Sequence, residues 1–460
     1  MLDAFFEPRS VAIIGATPKP RKPGYIILTN MKTRFKGKLY AVNPKYKNVL
    51  GVPCFPSILD VSDEVDLAIV VVPNRVVEKV IDDVIKKDVK AVIIITAGFS
   101  EIGNKELEER VKERLREHGI RAIGPNCLGV YYYPGGVDTF FFREPGTPRP
   151  PPSDLAIISQ SGALAASIMD TAASRGIGIG AAISLGNRID VGEAELLPYL
   201  RSKGFKSFLL YIEGLRDGEG KSFLEALSLI SDSKVLIYKG GRTKVSQRAT
   251  ASHTASVAGS YKVFKDVVEE FGGAVAEDPG EIMAFASAVQ YMDIPKGNKL
   301  LVVTDAGGVG VQLADALGDL YDMPKPLSKE LEVQLPPHVR PNNPMDVGGD
   351  ADDARYELVL KTLSKRYDLV IVAALLESPG TTPYIADIVK EVQEETGVPH
   401  LLLSSGGKYS EVLELRAREL GLGFAKGVEE AIAAAKVLWR IRKTKEILAK
   451  RLRCQKAISV

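Results

Sequence analysis

Residues 154–170 read DLAIISQSGALAASIMD. A short apolar run, LAII, passes through the polar turn Ser159, Gln160, Ser161 and Gly162 into an alanine-rich segment, and this predicts strand, turn and helix in succession. An apolar strand without polar alternation is buried on both faces, which requires a parallel sheet covered by helices. The same rhythm recurs along the chain. SVAIIGA, KLYAVNP, DLAIVVVP and KAVIIITAGF come before it, IGAAISLGN, SFLLYIEG and KVLIYKGG after it, and KLLVVTDAGGVGVQLADAL, DLVIVAALLE and HLLLSSGG last. The expected fold class is therefore α/β, with three Rossmann-like or flavodoxin-like parallel-sheet domains.

Breaks in this rhythm mark the domains. EPGTPRPPPS, residues 144–153, carries five prolines in ten positions and predicts a semi-rigid linker. DIPKGNK interrupts the chain again near residue 297, so the expected domains are 1–143, 154–291 and 297–460. With 26% charged residues and a net charge of +2, bulk electrostatics point to neither nucleic acid nor an anionic membrane. Three scattered cysteines without a CxxC pair fit a reducing compartment, and no apolar run reaches the length of a membrane span. A cytoplasmic location and no membrane partner are expected. Only four histidines occur, so no metal site is expected in this chain.

Three motifs carry chemistry. VAIIGATPKPRKPGY, residues 11–25, stands where a dinucleotide fingerprint would, yet after Gly15, Ala16 and Thr17 no G-x-G-x-x-G follows. The next strand runs into Asn43 and Lys45 where an NAD site places an acid. A lysine there suits a phosphorylated ribose, which coenzyme A has, and Arg21 and Lys22 suit its pyrophosphate; solvated surface is the alternative role for these cations. VVVPN and TAGFSE fall at later strand ends, where open α/β sheets bind ligands.

The second motif is the turn Ser159–Gln160–Ser161–Gly162. A helix N-terminus presents unpaired amides and a positive dipole, a ready phosphate site, although an ordinary serine cap has the same sequence. The third is ASHTASVAGS, residues 251–260, with one histidine among small residues. No Asp or Glu occurs from Lys239 to Phe264, while Lys239, Arg242, Lys244, Arg248 and Lys262 are cationic, which suits a phosphoryl group. His253 could attack phosphorus with one ring nitrogen while a carboxylate holds the other as N–H, and Glu213, at the end of SFLLYI, is the candidate carboxylate. An inert surface histidine is the competing reading.

Taken in order, VAIIGAT, NPKY, VVVPN, ITAGF, GPNCLG, ISQSGAL, SLGN, YIEG, YKGGRT and ASHTASVAGS closely resemble the nucleoside-diphosphate-forming acyl-CoA synthetases, the superfamily of succinyl-CoA synthetase. TDAGG and NPMDVGG resemble the additional CoA-ligase domain of ADP-forming acetyl-CoA synthetase alpha subunits. The resemblance implies that His253 is a phosphohistidine oriented by Glu213, and that Ser159, Gln160, Ser161 and Gly162 cradle phosphate. It puts Asn187 and Asp190 near the acyl group, and Gly15, Ala16, Thr17, Lys45, Pro73, Thr96, Ala97, Gly98 and Phe99 along coenzyme A. Cys127 is expected to be structural. The implied reaction is the reversible conversion of acyl-CoA, ADP and phosphate to acid, ATP and CoA. No P-loop is present. The resemblance therefore implies an ATP-grasp beta subunit, in an α2β2 assembly, holding magnesium with ADP or ATP, and a short-chain acyl substrate. A CoA-binding regulatory protein and a protein-acyltransferase scaffold are the rival readings.

Overall fold

The structure, a computed structural model, describes residues 2–142, 147–246 and 260–458; His253 and Arg248 lie outside the described residues. Strands β1 (Ser10–Ile14), β2 (Lys38–Val42), β3 (Asn48–Val49), β4 (Val52–Phe55), β5 (Leu67–Val70), β6 (Ala91–Ile94) and β7 (Arg121–Ile123) form one sheet in the order β3-β4-β2-β1-β5-β6-β7. Its pairs are parallel except β3 with β4. β1, β5 and β6 are buried along their whole length, as their unbroken apolar runs require. The helix Val77–Lys86 buries Val77, Ile81 and Val84, and the helix Lys105–Glu117 buries Leu107, Val111 and Leu115, each a single stripe at helical spacing. Strand order reverses between β1 and β5, so a crevice opens at their C-terminal ends. Gly15 forms its floor. Its φ of +103° is left-handed, and a Cβ there would collide with the carbonyl oxygen of Val71.

The second sheet contains β8 (Gly129–Tyr132), β9 (Val137–Asp138), β10 (Leu155–Ser159), β11 (Ala181–Ser184), β12 (Ser207–Ile212), β13 (Lys234–Lys239) and β14 (Ala274–Val275), in the order β14-β13-β12-β10-β11-β8-β9. β8 and β9 are antiparallel additions that lie before the proline-rich segment, so hydrogen bonding passes to the second sheet ahead of that segment. They cover the edge of β11 that would otherwise expose unpaired backbone groups. The described part of the proline-rich segment is tied down. Arg149 Nε donates to Asp138 Oδ2 at 2.9 Å, with the two side chains only 3% and 2% exposed.

The third sheet, β15 (Leu300–Thr304), β16 (Met345–Asp346), β17 (Leu369–Ala373), β18 (His400–Ser404) and β19 (Gly423–Lys426), is wholly parallel in the order β16-β15-β17-β18-β19. His400 lies in its core, held by Ser364 Oγ at 3.0 Å and the Val398 carbonyl at 2.7 Å, and burial pushes its imidazole down to about 4. The chain forms two compact units: Met1–Ser174, Gly178–Ser233 and Ile237–Val267 make one, and Arg175–Ile177, Lys234–Leu236 and Val268–Val460 make the other.

Replacing Arg149 with methionine leaves Asp138 buried and unpaired, and should cost about 3 kcal/mol near neutral pH. Burial already pushes the Asp138 carboxyl up. Without the guanidinium its folded pKa stands above the unfolded value, so its contribution is present in acid and lost as pH rises. Urea unfolding should therefore show a smaller deficit at about pH 5 than at about pH 7.

Candidate active site

The second sheet also reverses strand order, between β10 and β12. Ser159, the last residue of β10, is in register with Tyr211 on β12 and Ser184 on β11. Glu213, two residues beyond Tyr211, therefore stands at the same sheet edge as the serine turn. Gln160 joins the two. Its Oε1 accepts from the Glu213 amide at 2.8 Å and the Gly214 amide at 3.2 Å, while its Nε2 donates to the Gly214 carbonyl at 2.8 Å and to Glu193 Oε1 at 2.7 Å. The Gln160 backbone amide is also spent, on the Tyr211 carbonyl.

Ser159 is fully buried, and its hydroxyl donates to the Ser161 carbonyl at 2.7 Å while accepting from the Ser161 amide at 3.1 Å. The side chain of Ser159 thus shapes the turn, while Gln160, which also lines the cavity, ties the turn to Glu213 and Gly214. Ser161 Oγ accepts from Leu164 N at 3.3 Å, and the amides of Gly162 and Ala163, in the first turn of the helix Gly162–Ser174, have no intrahelical acceptor. Ala163 lines the cavity beside this turn, a position that the motif SQSG did not reveal.

These groups border a cavity of about 1100 Å³ lined also by Ile95, Ala97, Asn126, Leu128, Phe141, Phe142, Asn187 and Glu213. Tyr211 Oη donates to Glu213 Oε1 at 3.3 Å, and burial, followed by the charge of Glu213, pushes the phenol well above its ordinary value, so it remains a donor. Asn187 faces the cavity with its amide held by Glu108 at 2.6 Å and Glu101 at 2.8 Å. Asp190 is not brought there. Arg188 adopts φ of +59°, the chain turns, and the Asp190 carboxylate instead accepts from Arg121 Nε and the Ala122 amide, both at 2.8 Å. Cys127 lines the cavity wall, but its Sγ donates to the Ile94 carbonyl at 3.4 Å and burial pushes the thiol up to about 12, so it is no nucleophile at neutral pH.

The residues expected along coenzyme A gather at the C-terminal edge of the first sheet. Thr17, Lys45, Pro73 and Ala97 are half-buried or exposed there. Asn43 braces the edge by donating to the Ala16 carbonyl at 2.8 Å and accepting from Lys45 N at 3.0 Å. Ala16 and Thr96 are buried, and the Thr96 hydroxyl donates to the Val72 carbonyl at 2.8 Å. Phe99 belongs to the hydrophobic core beneath this edge and has no exposed surface. Gly15 and Gly98 supply the left-handed turns, with φ of +103° and +105°.

Comparison with known proteins matches this geometry. Residues 9–133 match the CoA binding domain family, and residues 152–289 match the succinyl-CoA ligase like flavodoxin domain. The alpha subunit of ADP-forming acetate–CoA ligase II from Pyrococcus furiosus is 35% identical over 95% of this chain and 97% of its own length. The chain belongs to the ADP-forming acetate–CoA ligase alpha-subunit family. A solved family structure, the dinucleotide forming acetyl-coenzyme A synthetase 1 of Candidatus Korarchaeum cryptofilum in complex with phosphate and ADP, superposes with a TM-score of 0.90 at 32% identity, covering 98% of this chain and 99% of that one. The ADP-forming acetate–CoA ligase of Methanocaldococcus jannaschii is 41% identical, but the chain spans only 49% of its length. The Pyrococcus furiosus alpha subunit thus aligns along nearly the whole chain, whereas the chain spans about half the length of the Methanocaldococcus jannaschii ligase.

Thiol chemistry offers a direct check on the buried cavity wall. Cys54 and Cys127 are buried and Cys454 is exposed. The native protein should show one fast-reacting thiol with a disulfide reagent and three after denaturation. Modification of Cys127 in the native state would contradict the placement described here.

Proposed function

We propose that this chain is the alpha component of an ADP-forming acyl-CoA synthetase and that it carries the phosphoryl group on His253. On this reading the chain divides into a CoA-binding domain, 1–143, whose last two strands pair into the second sheet, a CoA-ligase domain, 154–291, and an additional CoA-ligase domain, 297–460. The observation that supports the reading is that Glu213 and the first-turn residues Gly162 and Ala163 line one cavity.

Phosphate is held by the amides of Gly162 and Ala163 and the Ser161 hydroxyl, where the helix dipole favours negative charge. A phosphate oxygen attacks the thioester carbonyl of acyl-CoA, the C–S bond breaks, and the thiolate leaves and takes a proton. The acyl phosphate then meets His253, whose ring nitrogen attacks phosphorus while the P–O bond to the acyl carboxylate breaks. Glu213 accepts the N–H of the other ring nitrogen and so sets the tautomer. Asn187, on the cavity wall, orients the acyl end. Coenzyme A lies along Gly15–Thr17, Lys45, Pro73 and Ala97, with Lys45 on the ribose phosphate.

Transfer from phosphohistidine to ADP requires a nucleotide site, and no P-loop occurs in the sequence. The alpha-subunit names of the Pyrococcus furiosus relatives support a partner. That partner is an ATP-grasp beta subunit in an α2β2 assembly, and the magnesium ion is held with the nucleotide there; among the described residues of this chain no three carboxylate, histidine or cysteine groups converge to hold one. No helix among the described residues is long and apolar enough to cross a membrane; the scattered cysteines without a CxxC pair support a cytoplasmic location.

Given acyl-CoA and radiolabelled phosphate, the protein should acquire an acid-labile, alkali-stable label, with ATP formed only after the beta partner is added. His253→Ala should abolish the label, and Glu213→Gln should slow it by about 10²-fold or more. A stoichiometric label in the His253→Ala protein would falsify the phosphohistidine assignment.

Calorimetry tests the ribose contact. Lys45→Ala should weaken CoA more than dephospho-CoA; equal losses would remove Lys45 from the 3′-phosphate.

A further inference from the structure

Lys239 ends β13 with its side chain 3% exposed. Burying an ammonium costs several kcal/mol unless other charges offset it. The hydrogen-bond partners of this one are two carbonyl oxygens, those of Glu213 and Gly240, each at 2.6 Å. Among the described residues it also lies over the ring of Phe264, whose centroid is 5.7 Å from Nζ. These three partners have a common meaning. Glu213 is the carboxylate of the cavity, Gly240 begins the segment that leads toward His253, and Phe264 sits in the helix Tyr261–Glu270 that follows that segment. Arg242 over the Tyr261 ring, at 4.9 Å, joins the same two ends a second time.

A methionine would fill this site without the cost of a buried charge. Burial pushes the Lys239 ammonium pKa down and the negative charge of Glu213 pushes it up, so the two side chains interact electrostatically although no direct ion pair joins them.

We propose that Lys239 is a positioning residue for phosphoryl transfer, its buried ammonium fixing Glu213 against both ends of the segment that carries His253. This rests on the phosphohistidine reading above. Lys239 touches neither substrate nor the phosphoryl group; it acts through Glu213. Its charge favours the ionised carboxylate, and its hydrogen bonds fix the backbone from which that carboxylate projects. Among the described residues, Tyr211, near the end of the strand that precedes Glu213 and stacked on Tyr238, bonds to its carboxylate, Asp170 lines the same cavity, and Arg188 and Glu193 are linked to its backbone through Gly214 and Gln160.

The test is a double-mutant cycle on the labelling rate, using the full chain with its partner, acyl-CoA and radiolabelled phosphate. Lys239→Met should slow labelling about 30-fold in the otherwise unchanged protein but less than about 3-fold in the Glu213→Gln background. The acid limb of its pH–rate profile should move upward, because a carboxylate that loses a neighbouring cation protonates more readily. CoA affinity should be unchanged, since the described partners of Lys239 are Glu213, Gly240 and Phe264, none of them among the residues assigned to CoA. Equal slowing in both backgrounds, or an unmoved acid limb, would show Lys239 to be a packing residue only and overturn the proposal. If Lys239→Met does not fold, Lys239→Arg enters the same cycle: it should label at near the normal rate, and a loss shared equally by both backgrounds again overturns the proposal. An unlabelled wild-type protein refutes the phosphohistidine reading, and this inference with it, before any variant is compared.

Discussion

The side-chain amide of Gln160 carries on where the backbone pairing of β10 with β12 ends. The two strands pair up to Ser159 and Tyr211, the Gln160 backbone amide adds a bond to the Tyr211 carbonyl, and the chain then diverges at the strand-order reversal, where a crevice opens. The side-chain amide closes the base of that crevice with four hydrogen bonds, two accepted and two donated. A buried amide with all its partners in place is rigid, and removing any one strands a polar group away from water. The distance from Glu213 to the helix N-terminus follows from this brace, and so does the shape of the cavity between them.

The third sheet repeats the device with a different residue. Thr304 donates to the Ala306 carbonyl and accepts from the Ala306 amide, as Ser159 does with Ser161, and Asp305 then accepts from the Leu375 amide at 3.2 Å across the reversal between β15 and β17. A carboxylate only accepts, so Asp305 takes the Ser378 hydroxyl at 3.0 Å as its further partner and donates nothing. Glutamine does both, which lets Gln160 hold a carbonyl and a carboxylate as well as two amides. The first sheet uses a third solution. Gly15 lets the turn after β1 lie against the Val71 carbonyl, leaving room above it and no side chain across it. Repeated strand, turn and helix thus give three crevices of different chemistry.

Charge is arranged around these crevices with the same economy. Arg188 is held by Glu193 at 2.6 Å and Glu219 at 2.7 Å, and it donates to the Gly214 carbonyl at 3.1 Å. Glu193 in turn accepts from Gln160, so the ion pair and the amide brace form one network. Buried ion pairs are weak evidence of stability but strong constraints on geometry, because each partner left alone is costly. Around Glu213 the constraint is tightest, with Gln160 on its backbone amide, Lys239 on its carbonyl and Tyr211 on its carboxylate.

Local pattern was enough to read the alternation of strand, turn and helix, the parallel sheets, and the arrival of Glu213 at the edge that carries the serine turn. Those features are set by periodicity and by strand length, which neighbouring residues determine among themselves. Local pattern also located the acid-free segment around His253, since charge composition does not depend on folding. Other features depend on partners far away in the chain. Asp190 finds Arg121, 69 residues earlier, only after a left-handed residue turns it from the cavity. Gln160 meets Glu213 53 residues later, and β8 and β9 join a sheet whose other strands follow the proline-rich segment. Phe99 is wholly buried in the core beneath the edge where the sequence suggested a ligand contact. Residue type told which groups could bind an anion, but long-range pairing selected which of them face the cavity and which are consumed in building it, because a buried polar group must be satisfied by whichever partner the fold brings within reach.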